Sequence, residues 1–393
     1  SINDYIIKMD FQLAKITYPS GITVDVMTTW EDMIHDFLRN DDFGRYVKRS
    51  GKMAKKMFDT DTLKFNTEKE KFDFVLDYVK KNYNWNHIKG KYATKSSKKF
   101  IKEKHGNCAD VNLFAIGLLK YFNIEAYPLL ISTRKHGKIK YDYPYSHFFY
   151  YVLILAKING NNILSDATEI MCLNDRIPPR CINDKGLVIN DDKVEWIDLE
   201  CQKPSEIKTQ FLIERITNNK IHTSVYKSLI EYDALYYRNQ YADNLKVIKK
   251  SITSPEYSII DSTIKVQNLL DKEKPYILSY KLIKKPEFAG GKLFISPFLN
   301  EPVSDNPLKQ KQRKYPVDMT YPKKRIFKST IIIPEGYQVD FLPENQRINN
   351  HLFALNYSTR SNDQQIIVNF EYYFKNAIYS PKDYIRIKLY FND

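Results

Sequence analysis

The run from His105 to Asp166 restricts this chain most, because a cysteine opens an apolar helix there and two strands follow at hairpin spacing. It contains H-G-N-C-A-D-V-N-L-F-A-I-G-L-L-K-Y-F, then I-E-A-Y-P-L-L-I-S-T, then S-H-F-F-Y-Y-V-L-I-L-A-K-I-N-G-N-N-I-L-S-D-A-T. Gly106 breaks the preceding chain and Asn107 is a good N-cap, so Cys108 falls in the first helical turn. Val111, Phe114, Ala115, Leu118, Leu119 and Phe122 recur at helical spacing and predict a buried helix. The free amides and dipole of a helix N-terminus favour a thiolate, the nucleophilic form, whereas Asp110 in the same turn opposes a second negative charge. The plain alternative for such a cysteine is a small core residue.

Phe148 to Ile158 has a strand pattern, Asn159-Gly160 is a hairpin turn signal, and Asn162 to Ser165 reads as a return strand ending at Asp166. Cysteine, histidine and aspartate placed in this way form a Cys-His-Asp constellation. The imidazole removes the thiol proton, the carboxylate orients the imidazole, and the Cys108 amide is the expected oxyanion donor. His147 is the histidine nearest the hairpin.

This stretch resembles the transglutaminase-like superfamily, whose papain-related core carries cysteine at a helix start and then histidine and aspartate on successive strands. More narrowly, G-N-C-A-D, A-Y-P-L-L-I-S-T-R, L-S-D-A-T and the downstream I-P-P-R-C-I-N resemble a bacterial multidomain subgroup. In that subgroup the module sits between β-sandwich domains of unknown function. The likeness covers Trp30 to about Ile189 and resumes near Tyr315 with P-V-D and then L-P-E.

The resemblance implies an α+β chain with a papain/transglutaminase-like catalytic core in residues 1–200 and a β-sandwich region in residues 201–393. It also implies that residues 1–26 are the tail of a preceding domain, that a signal sequence lies outside this chain, and that the location is extracytoplasmic, in the periplasm or at the cell surface. Carried over residue by residue, it makes Cys108 the nucleophile and Asp166 the orienting carboxylate. With the turn centred on Asn159-Gly160-Asn161, Asp166 pairs near Ile154 and the family's histidine position falls on Tyr151.

His147 lies four residues earlier, about 13 Å along a strand at ~3.3 Å per residue, so it reaches Asp166 only through a bulge or bend. A tyrosine at the histidine position donates a hydrogen bond, but its ordinary pKa near 10 makes it a poor general base. Trp85 stands where relatives often carry an aromatic lining the acyl site; the plain alternative is a packing tryptophan. The implied function is therefore a binding or scaffold module of the cell envelope, degenerate at its catalytic histidine. Its partner would be a protein, a peptide or an envelope component. The alternative is a cysteine-dependent acyl transferase or amidase/peptidase working through a Cys108 thioester.

Composition narrows the rest. A chain of 393 residues can form two or three domains with proper cores and needs no disulfide or metal staple. Abundant Tyr (30) and Phe (22) against scarce Gly (12) suit strand-rich packing and argue against disorder. The net charge of +14 is spread out, with local runs at Lys89 to Lys104 and Lys309 to Arg325, and no recognisable nucleic-acid motif accompanies it. Solubility and attraction to acidic surfaces such as an anionic envelope account for it, and no nucleic acid is expected. Of the four cysteines, Cys172 and Cys181 are near enough in sequence to pair, and no spacing suggests zinc. No cofactor, metal or membrane span is expected.

Along the chain, Tyr5 to Tyr18 reads as extended, and Thr29 caps a helix carrying Trp30, Met33, Ile34, Phe37 and Leu38 on one face. A second helix is expected from Asp42 to Phe58, weakened at Gly51, and a third after the Thr67/Glu70 capping box, ending near Tyr83. Lys89 to Lys104 reads as a mobile basic approach to Cys108, and Asn183 to Gly186 as a turn. Further on, strands joined at Asn218-Asn219 precede one helix from Tyr232 to Ser251. Strands follow at Ser258 to Val266, Tyr276 to Ile283 and Lys292 to Ile295, and Glu301 to Lys324 reads as a linker or a long crossing loop, near which two sub-sheets would divide. The alternation of Ile366 to Phe374, and of Ile385 to Phe391, predicts antiparallel strands.

Overall fold

The helix Cys108–Tyr121 begins where Asn107 predicts, and every residue from Cys108 to Leu119 is buried. A helix enclosed on all its faces needs partners on all of them. In the computed structural model, which describes residues 4–6, 13–25, 29–59, 63–217, 219–242, 244–299, 301 and 306–391, the chain divides into two units, Ser1–Glu200 and Cys201–Asp393.

In the first unit a hairpin of β1 (Lys15–Thr17) and β2 (Thr23–Asp25) precedes α1 (Trp30–Arg39), α2 (Gly44–Met57) and α3 (Glu68–Asn82). Then β3 (Asn84–Trp85), α4 (Ser97–Glu103) and β4 (His105–Gly106) lead into α5 (Cys108–Tyr121). Five strands follow: β5 (Glu125–Ile131), β6 (Tyr151–Ile158), β7 (Asn161–Ser165), β8 (Lys185–Val188) and β9 (Trp196–Asp198). They pair antiparallel in the order β7-β6-β5-β8-β9, and α5 packs against β5, β6, α2 and α3.

Local chemistry explains these boundaries and several departures from expectation. Thr29 and Asp32 form a reciprocal capping box on α1. At α3 the Thr67 hydroxyl accepts from the Glu70 amide (3.1 Å), but the Glu70 carboxylate turns to the Asn66 amide (2.8 Å), so that box stays open. Helix α2 runs unbroken through Gly51, because Gly51 faces the α5 backbone rather than a break. A Cβ on Gly117 would lie 2.5 Å from the Ser50 Cβ and 2.7 Å from the Val47 carbonyl oxygen, so glycine permits the two helices to touch.

The basic approach to Cys108 contains α4, and it is tied down where mobility was expected, since Thr94 and Lys95 both donate their amides to Asp110. The hairpin after β6 is a two-residue turn with Asn159 and Gly160 at φ 50° and 79°, the signs a right-twisted hairpin needs. Ser165, not Asp166, therefore faces Ile154, one residue off the expected register.

The strand expected over Phe148 to Ile158 is present as β6 but starts three residues late. Ser146–Phe148 is a 3-10 turn closed by Phe149 N–H to the Ser146 carbonyl (3.2 Å), and the ladder begins only at Tyr151 opposite Ile131. The turn expected at Asn183 to Gly186 is shorter than that, for Gly186 lies inside β8.

The second unit carries β10 (Ser205–Ile216), β11 (Ile221–Ile230), α6 (Glu231–Tyr241), α7 (Leu245–Ile252), β12 (Tyr257–Gln267) and β13 (Tyr276–Lys284). A small hairpin, β14 (Glu287–Ala289) and β15 (Lys292–Phe294), and β16 (Val317–Asp318) come next. The chain ends with β17 (Lys323–Ile332), β18 (Gln346–Asn349), β19 (Phe353–Ser361), β20 (Gln365–Phe374), β21 (Ile378–Tyr379) and α8 (Tyr384–Leu389). Eight strands form one sheet in the order β12-β13-β11-β10-β17-β20-β19-β18.

All its pairs are antiparallel except β10 with β17, which run parallel. The segment 301–324 thus connects two halves of one hydrogen-bonded sheet instead of separating two sub-sheets. The single helix expected over Tyr232 to Ser251 is two, because Ala242 takes φ 44° and Asn244 caps a new start. The final strand is instead the short helix α8: Tyr384 and Ile387, three apart, are buried, whereas Ile385 and Leu389 are exposed.

The turn residue Asn218 lies outside the described residues, as do 1–3, 7–12 and 26 of the expected tail and 302–305 of the expected linker. All four cysteines are thiols, so Cys172 and Cys181 are not bridged. Among the described residues no helix is long and apolar enough to cross a membrane.

Candidate functional site

The start of α5 is held by reciprocal hydrogen bonds, Asp110 N–H to the Asn107 side chain (2.8 Å) and Asn107 N–H to the Asp110 carboxylate (2.9 Å). The same carboxylate accepts from the Thr94 amide (3.1 Å), the Thr94 hydroxyl (2.7 Å) and the Lys95 amide (3.1 Å). Its charge therefore folds the segment before α4 over the helix start, and the expected repulsion of the thiol is not what governs Cys108.

Burial governs it. Cys108 is 0% exposed, its Sγ donates to the Gly90 carbonyl (3.1 Å), and the Gly90 amide lies 3.2 Å from the sulfur. Loss of hydration pushes the thiol up to about 12, against smaller downward pulls from the Gly90 and Val152 amides and from Arg180, while Asp166 adds to the rise. The Cys108 amide, the expected oxyanion donor, already donates to the Ile88 carbonyl (3.2 Å).

Asp166 is fully buried at the end of β7 and accepts four hydrogen bonds. Oδ2 takes the Tyr151 hydroxyl (2.8 Å) and Arg180 Nη2 (3.1 Å); Oδ1 takes Asn112 Nδ2 (3.0 Å) and the Thr168 amide (2.9 Å). The Thr168 hydroxyl adds contacts to Tyr151 (2.9 Å) and Arg180 (2.8 Å), and Arg180 Nη1 pairs with Glu169 (2.7 Å). Burial, then the charge of Asp166, raises Tyr151 well above its ordinary value, so it stays a hydrogen-bond donor. Burial also opposes the Arg180 charge, but Asp166 and its other neighbours outweigh that and hold the guanidinium protonated.

Trp85 joins this cluster from β3. Its Nε1 donates to the Ile88 carbonyl (2.8 Å), its ring meets Tyr151 edge-on at 6.3 Å, and the Arg180 guanidinium lies 4.6 Å from the ring centre. The fold thus brings Cys108, Tyr151, Asp166 and Trp85 into one region and leaves His147 out. His147 is exposed on the 3-10 turn with its ring against Tyr145 at 4.9 Å, because no bulge shortens the path to Asp166. Among the described residues no histidine is hydrogen-bonded to Cys108 or Asp166.

Arg180 is the residue that sequence reasoning missed, along with Asn112, Thr168 and Glu169. The signal was present in I-P-P-R-C, where a single cation sits between buried Ile177 and Cys181. Chemically the cluster is rich in donors and has no neutral base beside the thiol. Among the described residues no group of three or more His, Cys, Asp or Glu is placed to hold a metal.

Comparison with known proteins bears on the fold. Residues 291–392 match the model of a domain of unknown function with a solved structure, DUF3858. Over 92% of its length the chain is similar to the structure of a candidate protease from Parabacteroides distasonis, at 11% identity and a TM-score of 0.52, and it spans 55% of that chain. A weaker likeness, TM-score 0.25 and 20% identity, links 42% of this chain to 51% of a candidate cysteine protease from Cytophaga hutchinsonii. No curated protein sequence matches. The first likeness defines a mixed helix and strand fold with large antiparallel sheets, one shared with a protein described as a protease.

Proposed function

We propose that the first unit is a transglutaminase-like fold that no longer performs acyl transfer and serves as a binding or scaffold module. The observation that carries this reading is the Tyr151 hydroxyl, rather than an imidazole, on the Asp166 carboxylate at 2.8 Å. A general base must reach the thiol and accept its proton near neutral pH, and a buried phenol with a raised pKa does neither. The cation that a protonated histidine would supply to Asp166 comes instead from Arg180, which cannot give up its proton. The partner is a protein, a peptide or an acidic envelope component, in keeping with the net charge of +14 and the extracytoplasmic setting that the resemblance implies.

Alkylation with iodoacetamide, followed site by site by peptide mass spectrometry, tests the proposal. A thiol pushed up to about 12 carries at neutral pH roughly a three-thousandth of the thiolate of an ordinary cysteine near 8.5, so Cys108, which is also buried, should react far more slowly than the partly exposed Cys201. Rapid modification of Cys108 well below pH 8, lost in Tyr151→Phe, would restore the acyl-transferase reading.

A further inference from the structure

The eight-stranded sheet of the second unit has one face covered and one open. Phe211, Val225, Leu229 and Leu278 turn inward to a core that includes Ala234 of α6 and Ile248 of α7. On the opposite face a groove of about 620 Å³ runs across β12, β13, β11, β10 and β17, within the size range of small-ligand sites. Its edge is raised by a bulge in β12 between Ile260 and Lys265. There the Thr263 hydroxyl donates to the Ile260 carbonyl (2.6 Å) and accepts the Lys281 amide (2.8 Å), which fixes the rim.

The register lays one cross-strand row along the groove floor: Lys265 opposite Ser279, Ser279 opposite Tyr226, Tyr226 opposite Gln210, and Gln210 opposite Lys328. Tyr226 and Leu212 are 38% and 39% exposed, an aromatic ring and an aliphatic side chain among amide and hydroxyl groups. Among the described residues, three lysines and no carboxylate line the groove. Lys281 is neutralised by Glu214 at 3.6 Å, whereas Lys265 and Lys328 have no ion-pair partner among the described residues. They stand four strands apart, about 19 Å at ~4.8 Å per strand.

We infer that this groove is a binding site for an acidic oligosaccharide of the uronate type. A sugar ring has an apolar face that lies on a tyrosine ring and hydroxyls that pair with an amide or hydroxyl side chain. Its carboxylates meet the two separated lysines, which act as point charges without demanding a planar fork. A single strand of nucleic acid fits less well, since successive bases call for successive aromatic platforms and arginines, and among the described residues Tyr226 is the one aromatic ring exposed in the groove. The site belongs to the second unit and does not depend on the reading of Cys108.

Titration calorimetry of the full chain with tetragalacturonate, maltotetraose and a single-stranded DNA octamer tests this. Tetragalacturonate is expected to bind, more weakly as salt rises, while maltotetraose binds at least about tenfold less well. Tyr226→Ala should weaken binding about tenfold and Lys328→Gln severalfold, with Lys56→Gln in the first unit unchanged. Thermal melting checks that each variant folds; if Tyr226→Ala does not, Gln210→Ala takes its place. No binding of tetragalacturonate at millimolar concentration, equal binding of maltotetraose, tighter binding of the DNA, or variants indistinguishable from the natural chain would each overturn the inference.

Discussion

Four donors converge on the Asp166 carboxylate, and one of them, Arg180, carries a full charge into a site where Asp166 itself is 0% exposed. These donors leave the thiol nearby with no group to give its proton to. Cys108 therefore shows its state through stability. Its folded pKa, pushed up to about 12, lies above the ordinary thiol value of about 8.5 in an unfolded chain. Below pH 8.5 both states keep the proton and stability is full; above it only the unfolded chain releases the proton, so stability falls as pH rises. Lys91, lowered by burial to about 8, works with the opposite sign over part of that range, which makes a difference measurement necessary. Urea unfolding of the natural chain and of Cys108→Ala between pH 9 and pH 10 should differ in slope by about 1.4 kcal/mol per pH unit, the natural chain losing more. Parallel curves would mean that the thiol ionises freely in the folded protein. Tyr151 was legible here by counting back from the Asn159-Gly160 turn, and the one-residue error in register did no harm because its side chain still faces Asp166. Arg180 was not legible, because it follows a proline pair in a loop where no periodicity assigns a direction.

Helix α5 shows what a pattern can and cannot reveal about an element. Its start followed from Asn107 and its burial from apolar spacing, yet nothing in the spacing showed that Gly117 touches α2. A Cβ at Gly117 would lie 2.9 Å from the Gly51 nitrogen as well as 2.5 Å from the Ser50 Cβ, and backbone cannot move aside as a flexible side chain does. Alanine normally stabilises a helix relative to glycine by about 1 kcal/mol, but here overpacking of roughly 1–3 kcal/mol decides the sign. Gly117→Ala should therefore lower stability in urea unfolding, and an unchanged or raised midpoint would show that α2 and α5 can separate without loss. The same limit explains α8, whose apolar residues at alternate positions fit a strand template, while burial of Tyr384 and Ile387 obeys the helical one. It also explains His147, which a strand period placed on the Tyr151 face although a 3-10 turn interrupts the path.

On the scale of the whole molecule, the parallel pairing of β10 with β17 is the feature that sequence could not supply, since it joins residues more than a hundred positions apart. Nine residue pairs, from Ser205 with Lys323 to Ile213 with Ile331, fasten the two halves of the second sheet together. A largely shielded ion pair spans them too, for Arg325 donates to both oxygens of Asp233 at 2.9 and 3.0 Å, and Ser205 donates its hydroxyl to the same carboxylate at 2.7 Å. The DUF3858 match covers only residues 291–392 and so includes β17 without β10 or Asp233. Cut there, β17 becomes an open edge with unpaired backbone groups, and Phe327 and Ile331 lose neighbours such as Phe211. Arg325 would lose the carboxylate that accepts both of its hydrogen bonds, and with it a cross-strand link between the two halves. A chain of residues 291–392 should accordingly self-associate or unfold without a cooperative transition, whereas residues 201–393 should run as a monomer and melt in one step. Size-exclusion chromatography and urea denaturation of both chains decide the matter. A monomeric, cooperatively unfolding 291–392 would show that the matched segment is its own folding unit and that its junction with β10 adds little to its stability.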